Sequence, residues 1–236
     1  MAGFVESDIK RYYEEWWENP RDPRDHVFKR LNRLILKQLP SGDGRKALDI
    51  GSGKGTIVGF LLQKGYQAAA VELNENFVRD LRQRFPGVDV IEGDFNAVAI
   101  DRTFDLVTAV EFIQNLDRDA LQLFFQKVAA LTGHLILTVS NKNSLHGFWA
   151  VFRGFIKPFV HVYTPREIEA LVRTSGFEIT SRRGIGLLTP ITLFSDFRWK
   201  LIPAWLTKLV NPWGDRLFPR RCHLYYLEAG KSFRKS

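Results

Sequence analysis

The chain has 236 residues, 45% hydrophobic and 25% charged, with 34 Lys and Arg against 26 Asp and Glu and a formal net charge of +8. That length and balance can bury a substantial core and fall within the range of one α/β domain. A single cysteine, Cys222, excludes an internal disulfide framework and fits a reducing compartment, and the longest stretches free of Lys, Arg, Asp and Glu, Val128 to Asn141 and Gly184 to Ser195, are too short to span a bilayer.

No repeat and no low-complexity linker divides the chain, and Glu6, Asp8 and Lys10 interrupt any charged-then-apolar leader at its start. Residues before Leu39 read as two helices separated by Pro20 and Pro23. The first carries Tyr12, Tyr13, Trp16 and Trp17; the second has an apolar face of Phe28, Leu31, Leu34 and Ile35.

Ala47 to Gly55 reads A-L-D-I-G-S-G-K-G, an apolar strand running into a glycine-rich turn. Gly51, Gly53 and Gly55 can take positive backbone dihedrals and present N–H groups to a ligand at the start of the next helix. Alone, such a turn is also a tight strand-to-helix connection with no ligand. Gln67 to Val71 is a second strand ending at Glu72, a carboxylate at the sheet edge where open α/β sheets bind ligands and an acid takes ribose hydroxyls. Asn74 then caps a helix whose apolar face is Phe77, Val78, Leu81 and Phe85.

Val88 to Ile91 is a third strand closed by Glu92-Gly93-Asp94-Phe95, an acid and an aromatic residue suited to the edge and face of an adenine. Phe104 to Val110 is a fourth, with Glu111 at its tip, so consecutive strands end in residues suited to a nucleoside. Leu121, Phe124, Phe125, Val128 and Leu131 recur at helical spacing and cover the sheet before a fifth strand, Leu135 to Val139. Thr164, Pro165 and Glu167 make a capping box with proline at the first helical position, and Gly176 stops that helix. Phe177 to Thr180 begins a sixth strand, and Cys222 to Ala229 alternates in part as a seventh.

From about Arg45 to Glu178 the chain resembles the class I S-adenosylmethionine-dependent methyltransferases. The resemblance rests on A-L-D-I-G-S-G-K-G, A-V-E-L-N, E-G-D-F, F-D-L-V-T-A-V-E and Y-T-P-R-E-I-E-A-L-V-R-T-S-G-F-E, in the family's order. It implies a doubly wound, seven-stranded Rossmann-like α/β sheet of order 3-2-1-4-5-7-6 with the seventh strand antiparallel. It also implies one methyltransferase domain over 1–236, with an N-terminal helical lid (1–40), a cofactor-binding core (41–141), and substrate-cap helices with closing strands (142–236).

The implied cofactor is S-adenosyl-L-methionine, leaving S-adenosyl-L-homocysteine as product. By the resemblance, Gly51, Ser52, Gly53 and Gly55 contact its methionine part, and Glu72 its ribose, with Leu73 also counted among the cofactor-binding residues. Asp94 and Phe95 take the adenine, and Glu111 lies near the sulfonium and substrate. In the lid, Tyr13 and Arg30 or Arg33 lie near the cofactor's carboxylate, where a cation complements a charge that backbone dipoles satisfy only in part. The competing nicotinamide dinucleotide fingerprint, G-x-G-x-x-G, fails in register because Thr56 stands where its third glycine belongs, and it gives Asp94 no role.

Charge is split along the chain. Met1 to Asn141 holds 18 Lys and Arg against 20 Asp and Glu, net −2; Lys142 to Ser236 holds 16 against 6, net +10. In the basic part Phe148, Trp149, Phe152, Phe155, Phe194, Phe197, Trp199, Trp205 and Trp213 alternate with Arg153, Lys157, Arg198, Lys200 and Lys208. Apolar runs such as Leu187 to Phe194 and Leu201 to Leu209 favour a pocket or lipid headgroups over nucleic acid, whose readers spread aromatics singly over a sheet. The expected partner is therefore a hydrophobic small-molecule or lipid substrate, with a membrane surface meeting the basic aromatic part. The expected location is the cytoplasm or the membrane periphery, as a monomer or weak dimer.

If the acceptor is a hydroxyl, a general base is needed, and histidine is the usual choice. His134 precedes the fifth strand, at the wrong end, and His26 and His223 have no motif context. His161, in H-V-Y-T-P-R-E-I, resembles the family's histidine before its capped helix and is the first candidate; His146 is the second. The W-W near the start, N-K-N-S-L and H-V-Y-T-P-R-E look most like ubiquinone-type small-molecule O-methyltransferases. Where those enzymes often carry E-V-L-E-H, this chain has Glu111-Phe112-Ile113-Gln114-Asn115, and amides are poor ligands for a divalent metal, so no metal is expected. An RNA methyltransferase and a catalytically silent cofactor-binding partner protein are the rival readings.

Overall fold

The computed structural model describes residues 10–11, 14, 25–152, 160–188 and 204–231. Tyr12, Tyr13, Trp16 and Trp17 lie outside the described residues, as do Arg153, Phe155, Lys157, Phe194, Phe197, Arg198, Trp199 and Lys200, with most of the run from Leu187 to Phe194 and the start of that from Leu201 to Leu209.

The apolar runs form β1 (Lys46–Ile50), β2 (Gln67–Glu72), β3 (Asp89–Glu92), β4 (Leu106–Ala109), β5 (His134–Ser140), β6 (Phe177–Ile185) and β7 (Leu224–Lys231). They pair as one sheet in the order β3-β2-β1-β4-β5-β7-β6, with β7 antiparallel to both neighbours and the other pairs parallel. This is the topology that the resemblance implies. Parallel strands are connected by crossovers that place helices on both faces, so alternate residues of each strand feed opposite cores. Leu48 and Ile50 join Phe124, Phe125, Val128, Ile168 and Val172 from α4 (Arg118–Leu131) and α6 (Pro165–Thr174). Ala47 joins Val27, Leu31, Ile35, Val58 and Leu81 from α1 (Asp25–Gln38), α2 (Thr56–Gln63) and α3 (Glu75–Arg84).

The helix starts follow local chemistry. The Asn74 side chain accepts from the N–H groups of Asn76 and Phe77, and Asp117 accepts from Ala120. Thr164 and Glu167 bond reciprocally ahead of α6, with Pro165 at its first position. α5 (Leu145–Phe152) was not apparent from periodicity, because apolar residues on every side leave no helical period to detect. It is positioned instead by Ser144, whose hydroxyl accepts from Gly147 N–H at 2.8 Å. A side chain at Gly147 would overlap the carbonyl of Asn141.

β6 runs further than the expected start at Phe177 to Thr180, because a register shift between Ile179 and Ser181 interrupts the alternation that marks a strand. α7 (Ala204–Leu217) and a 3-10 turn (Pro219–Arg221) lead into β7.

One buried carboxylate fastens this end of the sheet. Glu169 of α6 accepts from Arg220 Nε and Nη2 at 2.9 and 2.7 Å and from the Tyr225 hydroxyl at 2.6 Å, with Arg173 and Arg182 at 3.2 and 3.4 Å. Burial opposes its ionised form, but the bonds from Arg220 and Tyr225 and the charges of Arg182 and Arg220 prevail and hold the carboxyl down to about 2. The network therefore stands above its ordinary titration range and is lost only as pH falls through about 2. Glu169→Gln leaves the arginines without their counter-charge and is expected to lower the unfolding free energy by about 3 kcal/mol, measured by urea denaturation at pH 7.

Candidate active site

β1 ends in a turn whose backbone only glycine adopts readily: φ is 70° at Gly51, 50° at Gly53 and 77° at Gly55. Space is also short there, since a Cβ on Gly51 would strike the Phe112 ring and one on Gly55 would strike Leu81 and Phe85. The parallel register Ile50↔Val71 sets the tip of β2 beside this turn. Glu72, buried, accepts from Gly53 N–H at 2.7 Å through one carboxylate oxygen and from Asn74 N–H at 2.9 Å through the other. Burial raises its carboxyl above the ordinary range, against the amides of Asn74, Gly53 and Leu73 and the charge of Lys10. The two carboxylate oxygens offer about four acceptor sites, more than these amides fill, so the carboxylate keeps capacity for a ribose hydroxyl.

Lys10 and Glu14 come to the same place. Glu14 accepts from Asn74 and Asn76 side chains at 3.0 and 2.6 Å, and Lys10 reaches Glu75 at 3.4 Å. The bonds from Asn76 and Asn74 hold the Glu14 carboxyl below its ordinary value.

Beneath the turn lies Asp49, 1% exposed, an acid to which no motif of the sequence assigns a role. Its Oδ1 accepts from Thr108 Oγ1 at 2.7 Å, and Ser52, buried above it, bonds Asp49 main-chain oxygen at 3.0 Å. Burial pushes its carboxyl up to about 7, despite hydrogen bonds from Thr108 and Ser52 and with help from the Glu72 charge. An acid inside an apolar strand was the available signal.

At the tip of β4, Glu111 holds a left-handed backbone, φ 53°, which a non-glycine residue adopts only when its surroundings over-determine it. They do so here. Its N–H donates to Thr138 Oγ1 at 2.8 Å, its carboxylate accepts from Thr138 and Ser140 hydroxyls at 2.8 and 3.0 Å, and Gln114 Nε2 donates to its carbonyl at 2.6 Å. His161 is tied to the same turn through its main chain, its backbone N–H donating to the Gln114 main-chain carbonyl at 2.7 Å. Thus Glu111, Gln114 and His161 come together at the carboxyl edge of the sheet. His146, on the first turn of α5, packs its ring 4.0 Å from that of buried His223.

Other expected residues sit differently. Asp94 is exposed and its carboxylate accepts from Asn96 N–H at 3.1 Å. The Phe95 ring turns into the core against Phe124, centroids 5.5 Å apart, with Lys127 over it, so only the main chain of Phe95 remains for an adenine. Arg30 pairs with Asp215 of α7, and exposed Arg33 bonds the Lys29 carbonyl at 3.2 Å. Tyr13 lies outside the described residues. The turn, the amide-held carboxylate of Glu72 and the carboxylates of Asp49 and Glu111 fit a cationic nucleoside.

Residues 47–133 match the family model of a methyltransferase domain. The chain is 23% identical over 194 residues to the ubiquinone biosynthesis O-methyltransferase of Methylococcus capsulatus, covering 75% of this chain and 81% of that one. It is 27% identical over 150 residues to the (S)-tetrahydroprotoberberine N-methyltransferase of Eschscholzia californica, covering 57% of this chain and spanning 42% of the relative's length. Its fold is that of the magnesium protoporphyrin IX methyltransferase of Synechocystis PCC 6803 with bound S-adenosylhomocysteine, TM-score 0.66 at 15% identity, covering 96% and 95% of the two chains. The domain match falls on the strands that build the cradle, and structures of this fold hold S-adenosylmethionine or its product: the chain carries a methyltransferase domain on the fold of the class I S-adenosylmethionine-dependent enzymes.

Proposed function

We propose that the protein methylates a hydrophobic small molecule or lipid-like acceptor, at oxygen, with S-adenosylmethionine as donor. The observation that carries the cofactor half is the Glu72 carboxylate, fixed by Gly53 and Asn74 amides beside a turn of positive-φ glycines. In this reading Glu72 takes the ribose hydroxyls, Gly51, Ser52, Gly53 and Gly55 border the methionine part, and Asp94 with the Phe95 main chain meets the adenine. Lys10 and Glu14 bond the Asn74 end of the cradle, which supports a lid over it.

Bound, the cofactor supplies a methyl group that is already electrophilic. The chain's task is placement, and orientation of that kind is worth roughly 7 to 11 kcal/mol. Glu111, held by hydroxyls of β5, sets the polar side of the acceptor position, and His161, tied to Gln114, is the base proposed for a hydroxyl acceptor, with His146 second. Apolar α5, which exposes Phe148 and Phe152 just past the end of β5, lines the approach and supports an apolar acceptor. The relatedness to an O-methyltransferase supports oxygen.

Incubating the protein with cell extract and methyl-labelled donor, then separating organic-extractable, RNA and protein fractions, is expected to put label in the organic fraction. His161→Ala is expected to lower that transfer by about 10² or more. Label confined to RNA or protein, or none in any fraction, contradicts the reading.

Asp49 adds a pH signature. A cationic donor above it favours the ionised carboxylate, whose value without ligand is about 7, so donor affinity is fully present above that pH and declines as pH falls through it. Donor affinity measured from pH 8 to pH 5.5 is expected to weaken by about tenfold in the wild type beyond any change in Asp49→Asn; parallel profiles contradict the linkage.

A further inference from the structure

α7 is built inside out for a helix in water. Its inward residues Thr207, Asn211 and Asp215, spaced i, i+4 and i+8, are polar and none is more than 8% exposed. Asn211 bonds both main-chain groups of Leu188, accepting at 2.8 Å and donating at 2.9 Å, while Asp215 accepts from Leu187 N–H at 2.9 Å and pairs with Arg30. Its outward residues Trp205, Leu209, Trp213 and Leu217 continue at i+4 steps and are from 64% to 71% exposed. A helix covering a core in water shows the reverse. The helix cannot correct this by rotating, because turning the apolar stripe inward would leave Asn211 and Asp215 without their partners.

The charges around the stripe have one sign. Lys208, Arg216 and Arg221 flank it and are exposed, whereas the one acid of α7, Asp215, faces inward and is neutralised by Arg30. Exposed tryptophans and leucines rimmed by lysine and arginine match the layering of a bilayer surface: aromatic rings at headgroup level, aliphatic groups deeper, cationic ends reaching lipid phosphates. The segment that follows α7 is bound to the carboxyl end of β5. Asn141, just beyond β5 and before α5, donates to the carbonyls of Arg220 and Cys222 at 2.9 and 2.8 Å, which ties the end of α7 to the segment carrying exposed Phe148 and Phe152. Among the described residues no helix is long and apolar enough to cross a membrane, so attachment through this face is peripheral.

We propose that the outer face of α7 docks on a bilayer surface rich in anionic lipid, placing the carboxyl edge of the sheet at the headgroups. The purpose of the docking, access to a membrane-dissolved acceptor, rests on the proposed function; the docking itself does not.

The test is co-flotation of the full chain with phosphatidylglycerol vesicles and with phosphatidylcholine vesicles. Binding at least about tenfold tighter to phosphatidylglycerol, weakened by salt, is expected. The double variant Leu209→Glu and Trp213→Glu is expected to lower that binding at least about tenfold while its calorimetric affinity for S-adenosylmethionine stays at the wild-type value. Equal flotation of variant and wild type, no flotation of either, displacement of the vesicles by RNA, or a wild-type dimer that the double variant converts to monomer would overturn the docking surface. Organic-phase methyl transfer without vesicle binding would refute the docking and leave the proposed function standing; vesicle binding without transfer would do the opposite.

Discussion

The bond from Gly53 N–H to the Glu72 carboxylate joins the tips of two neighbouring parallel strands, and the geometry of the cradle depends on it. It exists because the register of β1 on β2 sets the glycine turn opposite the last residue of β2. The positive φ values of the turn then direct amides toward the carboxylate rather than into the next helix. The other oxygen is held by the N–H of Asn74, whose side chain simultaneously caps α3, so a helix start, a strand end and a turn are fixed by two residues two positions apart.

Burying an acid is unfavourable, and this molecule does it in two neighbouring strands. Asp49 and Glu72 are both raised by burial, with Asp49 satisfied by hydroxyls and Glu72 by amides, while Glu111 is held by Thr138 and Ser140 in a backbone conformation that side chains disfavour. In the proposed reading, a sulfonium bearing an ammonium group offsets that cost when it binds. Glu169 is the contrast: it is as deeply buried, yet arginines surround it and its carboxyl falls to about 2, as befits a structural fastening.

Much of this was legible where the cause is local. The glycine turn, the Asn74 cap, the capping box at Thr164 and the helical spacing of Leu121, Phe124, Phe125, Val128 and Leu131 each depend on neighbours within a few residues, and each is present. Strand order came from family resemblance, not from the residues themselves. What stayed hidden is non-local or lacks a period. Arg30 finds Asp215 across 185 positions, which no local pattern encodes. The inward turn of Phe95 is fixed by packing on Phe124 and by Lys127, which bonds its carbonyl. α5, apolar but for His146, and inverted α7 defeat periodicity for opposite reasons, one lacking a polar face and the other having it on the inside.

The central claim is that Glu72 and the glycine turn hold the donor. Calorimetric titration of S-adenosylmethionine into the wild type and Glu72→Ala, with the fold of both verified by circular dichroism, tests it most directly. The account predicts saturable heat with the wild type and an affinity about 10- to 100-fold weaker in the variant, the worth of charge-assisted bonds to two hydroxyls. No heat with the wild type, or equal affinity in the two proteins, would contradict it.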